Sequence, residues 1–235
     1  MLNAISTLDW FALIVFFAVW IGFTWFTDHS RWSVGSLQHV MDYHRRRWMR
    51  EMLKRDMRMP DALLVGNFVQ SAVFFASTAI LVVGGLVAIL GSSDKALAAI
   101  SSLPFVTPHS ESEWALKVVT LICVFIYSFF KFIWALRLAN YSSVLFNAAP
   151  LTESEAGERY AVELGRIATL FGFHFNQGLR ANFFALAILA WLINAWFFIV
   201  STLVVLAVLY RREFRSKSLR VVKNLQTMCE ESDEY

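Results

Sequence analysis

The side chains able to do chemistry stand inside the apolar part of the chain. Residues 127–150, YSFFKFIWALRLANYSSVLFNAAP, are mostly Phe, Ile, Trp, Leu and Ala, yet they carry Lys131, Arg137, Asn140 and Tyr141. A cation at membrane depth costs about 2.5–3.5 kcal/mol on insertion scales, so it turns toward a bundle interior, water or a partner. A second polar set follows: Arg159, Glu163, Arg166, His174 and Gln177 share a helical face at steps of four, three, eight and three, with Arg180 and Asn182 just beyond. Lys131, Arg137 and Arg180, with Asn140, Tyr141 and Asn182 nearby in sequence, could form an anion site or a selectivity ring. The competing expectation is internal pairing of Lys131 or Arg137 with Glu163, which neutralises the charges and fixes the helices. His174 is either a proton-responsive gate or a hydrogen-bonding link to a neighbouring helix.

Other chemistries find no support. The chain has no Gly-rich phosphate loop, GxSxG elbow or HExxH helix. His39 and Asp42 are three apart, but no third ligand lies in reach, so they read as solvated side chains and not as a metal site. Cys123 and Cys229 form neither a CxxC pair nor a disulfide framework. The expectation is a protein that is not an enzyme and that uses no metal or cofactor. Lys and Arg sit mostly beside apolar runs, without stacking or base-reading motifs. They read as orientation signals and contacts for anionic lipid, not as a nucleic-acid surface.

The elements that must position these residues are membrane helices. With 235 residues, 57% hydrophobic, and a mean hydropathy of +0.53, the composition excludes an ordinary soluble domain and predicts one all-α membrane bundle. Spans are expected at about 8–26, 63–90, 115–139 and 183–209. Along the second span, Asn67, Gln70, Ser77, Gly84 and Ala88 fall on one stripe, which predicts close helix packing. Lys117 and Arg137 are expected to snorkel to opposite interfaces. Residues 31–58 are strongly basic, with Leu37, Met41, Trp48 and Met52 at helical spacing. They predict an amphipathic cytoplasmic helix lying on the membrane surface, with Arg45, Arg46, Arg47 and Arg50 on lipid headgroups and the N-terminus outside.

Residues 160–179 are ambiguous: either a surface helix or a fifth crossing with its polar stripe turned inward, followed by a tight turn at 178–182. The tail, 210–235, carries Arg211, Arg212, Arg215, Lys217, Arg220 and Lys223. Five crossings place this tail on the same side as the basic first loop, in agreement with the positive-inside rule; four do not.

The runs FKFIWALRLANYSSVLFNAAP (130–150), HFNQGLRANFFALAILAW (174–191) and YRREFRSKSLR (210–220) resemble a bacterial and plant family of membrane proteins, the domain-of-unknown-function family numbered 599. The basic first loop and FFASTAILVVGGL (74–86) extend the likeness over most of the chain. The resemblance implies a multi-span helical membrane protein, usually drawn with four spans, and brings no activity, cofactor or catalytic residue. The leading expectation is an oligomeric channel or transporter for an ion or small, anionic solute in a bacterial inner membrane. The alternative is a non-conducting assembly, scaffold or lipid-interacting protein.

Overall fold

A computed structural model describes residues 6–93, 110–150 and 154–233. The described chain is helical throughout: α1 (Thr7–His29), α2 (Leu37–Leu53), α3 (Met59–Leu90), α4 (Glu111–Ala148), α5 (Glu155–Leu189), α6 (Ala195–Phe214) and α7 (Lys217–Asp233). Two short 3-10 turns, Arg31–Gly35 and Ala190–Leu192, join α1 to α2 and α5 to α6. The helix starts follow from local chemistry. Ser36, Ser154 and Asn194 each accept an orphan backbone N–H of the helix that follows, and Ser110 and Glu113 form a reciprocal capping box on α4. Pro60 opens α3, where its missing N–H is no loss.

Four stretches are long and apolar enough to cross a membrane: Thr7–His29, Met59–Leu90, Glu111–Ala148 and Ala195–Glu231, the last beginning with α6. The protein is an integral membrane helical bundle. His174, Gln177, Arg180 and Asn182 dilute the apolar half of α5. Nonetheless α5 lies alongside α4 and antiparallel to it, with Tyr160 bonded to the Leu145 carbonyl near one end and Ser128 bonded to Asn182 farther along. We call the end where α1 begins the upper end. At that end Trp191 reaches Asp9, whereas Arg180 reaches Asp28 at the foot of α1.

The chain then reverses. Ser201 donates to the Ala187 carbonyl across the turn at 3.0 Å, so α5 and α6 form a helical hairpin. This corrects two expectations. The apolar run 183–209 is not one span but the end of α5, a reversal and α6, and residues 178–182 are not a turn but lie within α5. Hydropathy does not register the reversal, because both arms are apolar; Asn194 is its one polar mark.

α1 and α6 run in parallel, with Phe16 against Phe198 and Phe26 against Phe214. α4, with 38 residues, is about 57 Å long against about 35 Å for the 23-residue α1. The surplus of α3, α4 and α5 projects below α1; α2 packs against it, and α7 packs against α2. α2 therefore does not lie free on a surface, and that expectation is corrected. Its Met49 and Met52 are fully buried with Val65, Ala135, Ala139 and Leu164 in a lower core. His44 and Arg47 bond the Val222 and Cys229 carbonyls of α7. An upper core joins Phe16, Val124, Phe184, Trp191 and Phe198.

The packing face of α3 also differs from expectation. Val65, Ala72, Ala76 and Ala79 are buried, whereas Asn67, Gln70, Ser77, Gly84 and Ala88 are exposed on the opposite side. Both faces hold small residues at helical spacing, so periodicity did not distinguish them.

Candidate functional site

Two polar side chains of α5 meet a carboxylate at the foot of α1. Asp28 is one residue from the end of that helix, and only 1% of its side chain is exposed. Its Oδ1 accepts from Arg180 Nη2 at 2.6 Å and its Oδ2 accepts from Gln177 Nε2 at 2.8 Å. Gln177 and Arg180 are three apart on α5 and so share a face. Lys131 of α4 holds its ammonium 5.2 Å from the Tyr127 ring centre, within electrostatic reach of Asp28 and Arg180. Ser128 donates to Asn182 Oδ1 at 2.6 Å.

Close approach of α4 and α5 permits this convergence. At Gly178 a Cβ would stand 2.8 Å from the buried Phe132 ring, so only glycine fits without displacement. His174, one turn earlier, packs edge-on to Trp134.

The cluster is not fully satisfied. Arg180 Nε and Nη1, Gln177 Oε1 and His174 Nδ1 are buried without a hydrogen-bond partner in the protein. An unsatisfied buried donor or acceptor costs about 1–3 kcal/mol, more when charged. Native folds tolerate few such groups, and those they keep call for a reason.

Of the expected polar-path residues, Gln177 and Arg180 thus bond Asp28 and Lys131 stands within its reach, while Asn182 bonds Ser128 and His174 packs on Trp134 between the same two helices. The other five stand apart. Arg137 donates to Tyr141 at 2.6 Å and stacks on Trp134, all three on the exposed surface of α4 beside exposed Asn140. Glu163 and Arg166 pair with each other at 2.7 Å, each 64% exposed, so Glu163 neutralises neither Lys131 nor Arg137. The partner that sequence reasoning missed is Asp28. Its signal was positional: a carboxylate ending one span, and an arginine in another with no acid nearby in sequence.

The four expected headgroup arginines divide as well. Arg45 pairs with Asp42 at 2.6 Å and covers Gly172, while Arg47 bonds α7. Arg50 pairs with Glu158, and Arg46 is exposed. Burial raises the Asp42 carboxyl above the ordinary carboxylate value, against the opposing pull of Arg45.

A second polar knot closes the upper end. Asp9 Oδ1 accepts the Trp191 indole N–H at 2.5 Å, and Lys117 Nζ lies 3.8 Å from the same oxygen and 5.6 Å from the Trp191 ring centre. Lys117 is 2% exposed, so it does not snorkel outward; a buried carboxylate and an aromatic face hold it instead. Between the two polar levels stands an aromatic septum of fully buried Phe16, Phe184 and Phe198, with Phe16 5.1–6.0 Å from the other two ring centres. Among the described residues no three His, Cys, Asp or Glu side chains converge as a metal site would require.

The sequence model for the family described as protein of unknown function, DUF599, matches residues 11–218. The chain belongs to the DUF599 family. Every residue of the lower cluster falls within the DUF599 match, and of the upper knot only Asp9 lies outside it. No curated protein matches the chain, and no solved structure does. Membership in DUF599 assigns no reaction and no substrate.

Proposed function

We propose that this DUF599 protein crosses the membrane five times and carries or conducts a small anionic solute, without enzymatic chemistry. One arrangement supports this reading: two buried polar levels, one with unspent guanidinium donors, separated by a closed aromatic septum. Hydrophobic constrictions between polar vestibules are a common way to gate a path. In this reading the lower end is cytoplasmic, which puts the basic α2 and α7 on the side that the positive-inside rule favours and the N-terminus outside. The membrane is the bacterial inner membrane. An entering anion competes with Asp28 for Arg180 and Lys131, and the septum opens as the Asp28–Arg180 pair yields. A homo-oligomer belongs to the reading, because Asn67, Gln70 and Ser77 on the outer face of α3 would find polar and close-packed partners in a second copy.

Vesicles reconstituted with the purified protein test this directly. Efflux of chloride, phosphate and small carboxylates should exceed that of protein-free vesicles for at least one solute. Lys131→Gln and Asp28→Asn should alter that efflux severalfold, whereas Arg137→Ala should not. Folded protein that passes none of these solutes sinks the proposal. A non-conducting, lipid-interacting assembly is the second reading. The exposed cations Arg46, Arg50, Arg215 and Arg220 around the lower layer favour it, each placed to attract anionic headgroups.

A further inference from the structure

A cavity of about 150 Å³ opens at the lower end where α1, α2, α5 and α6 meet. Its polar lining is unusual for a membrane bundle: Arg45 from α2, Arg180 and Asn176 from α5, Arg212 and Glu213 from α6, and Gln38 from the first turn of α2. Three arginines from three helices thus line one space.

They are not equally occupied. Arg45 gives Nη1 to Asp42, and Arg180 gives Nη2 to Asp28, but Arg180 Nε and Nη1 have no partner although the residue is only 7% exposed. Arg212, exposed at the edge of the cavity, makes a cation–π contact with Phe183, 5.8 Å to the ring centre, and no ion pair with a described carboxylate. Glu213 brings the one negative charge in the lining, but its Oε1 already accepts the Gln38 backbone N–H at 2.9 Å, at the positive end of α2.

We infer that this cavity is a binding site for a phosphate-type oxyanion, held by Arg180, Arg212 and Arg45. Guanidinium forks match the several oxygens of a phosphoryl group better than a point cation does, and they satisfy it with charge-assisted hydrogen bonds. The volume admits one such group together with a few waters, at about 30 Å³ for each water. Two sources offer the same chemistry at this depth: free phosphate from the aqueous side and the phosphomonoester headgroup of an acidic lipid. The site stands whether or not the protein transports anything, so its test is binding and not flux.

Full-length protein in phosphatidylcholine nanodiscs is titrated with inorganic phosphate and, separately, with short-chain phosphatidic acid, by calorimetry. Saturable binding of at least one is expected. Binding of phosphate alone identifies a soluble anion, and binding of the lipid alone identifies a headgroup. Arg212→Gln and Arg45→Gln should each weaken it at least tenfold, while Arg211→Gln, next in sequence but outside the lining, should leave it unchanged. Arg212→Lys keeps the charge without the fork and should lose severalfold, even if the Gln variant melts early. No saturable binding of either ligand, or equal weakening by Arg211→Gln, overturns the site.

Discussion

The upper and lower polar knots of the bundle are built from the same parts and finished differently. Each joins an aspartate at one end of α1 to a cation from a long helix: Asp9 to Lys117 above, Asp28 to Arg180 below. Above, the indole of Trp191 takes up the carboxylate, its ring covers the ammonium, and none of the three side chains leaves a buried polar atom unpaired. Below, the carboxylate is satisfied but the guanidinium keeps two nitrogens unspent beside a cavity. A closed knot fixes helices, whereas an open one stores binding capacity at the expense of stability. In the proposed reading, the difference separates fastening from anion binding within a single repeated device.

The largest expected effect breaks the closed knot. Asp9→Ala takes the Asp9 carboxylate from the buried Lys117 ammonium and from the Trp191 indole, and removing one partner of a buried pair costs about 3–5 kcal/mol. Thermal unfolding in detergent should shift sharply downward, with phosphate or lipid binding retained in whatever fraction still folds. Asp28→Asn should destabilise by slightly less, since Arg180 lines the cavity, and it should also tighten anion binding by freeing Arg180 Nη2. Pairing it with Arg180→Gln should recover part of the stability and abolish the binding, a coupling that a double-mutant cycle measures. If the double variant is no more stable than Asp28→Asn alone, the two side chains are not the coupled pair described.

Two glycines sharpen the contrast at lower cost. Gly178→Ala drives a methyl into the buried Phe132 ring at 2.8 Å and should lose about 1–3 kcal/mol by overpacking. Gly172→Ala meets only the mobile tip of Arg45, so its melting temperature should fall less, while its anion affinity should change as Arg45 is pushed aside.

The smallest effect concerns pH. Burial raises the Asp42 carboxyl, so its favourable contribution is full below the ordinary carboxylate value near 3.8 and is lost as pH rises through the raised one. The stability of wild type relative to Asp42→Asn should therefore decline between mildly acidic and neutral pH. A flat difference would show that Arg45 fully compensates the burial.

Sequence made the membrane bundle, three of its four apolar stretches and the cations at depth legible, because hydropathy and charge are local properties. It also named Gln177 and Arg180, which the fold brings onto Asp28, and Lys131, which stands within reach of it. What escaped is non-local. Asp28 and Asp9 lie far in sequence from the cations they meet, and no spacing rule connects them. The reversal at Ala190–Leu192 lies within an apolar run whose two arms hydropathy reads as one. The outward face of α3 was misread because two small-residue faces share one helix. α2 looked like a surface helix because an amphipathic helix has the same pattern whether lipid or protein covers its apolar side.

The fastening at the upper end also sets an order on biosynthesis. Asp9 and Lys117 can meet once α4 has been made, yet the indole that completes their contact belongs to the reversal between the last two helices. A nascent chain that stalls before that hairpin keeps a charged pair without its aromatic cover, buried in hydrocarbon. The upper fastening is therefore complete only when the last hairpin has folded back onto α1.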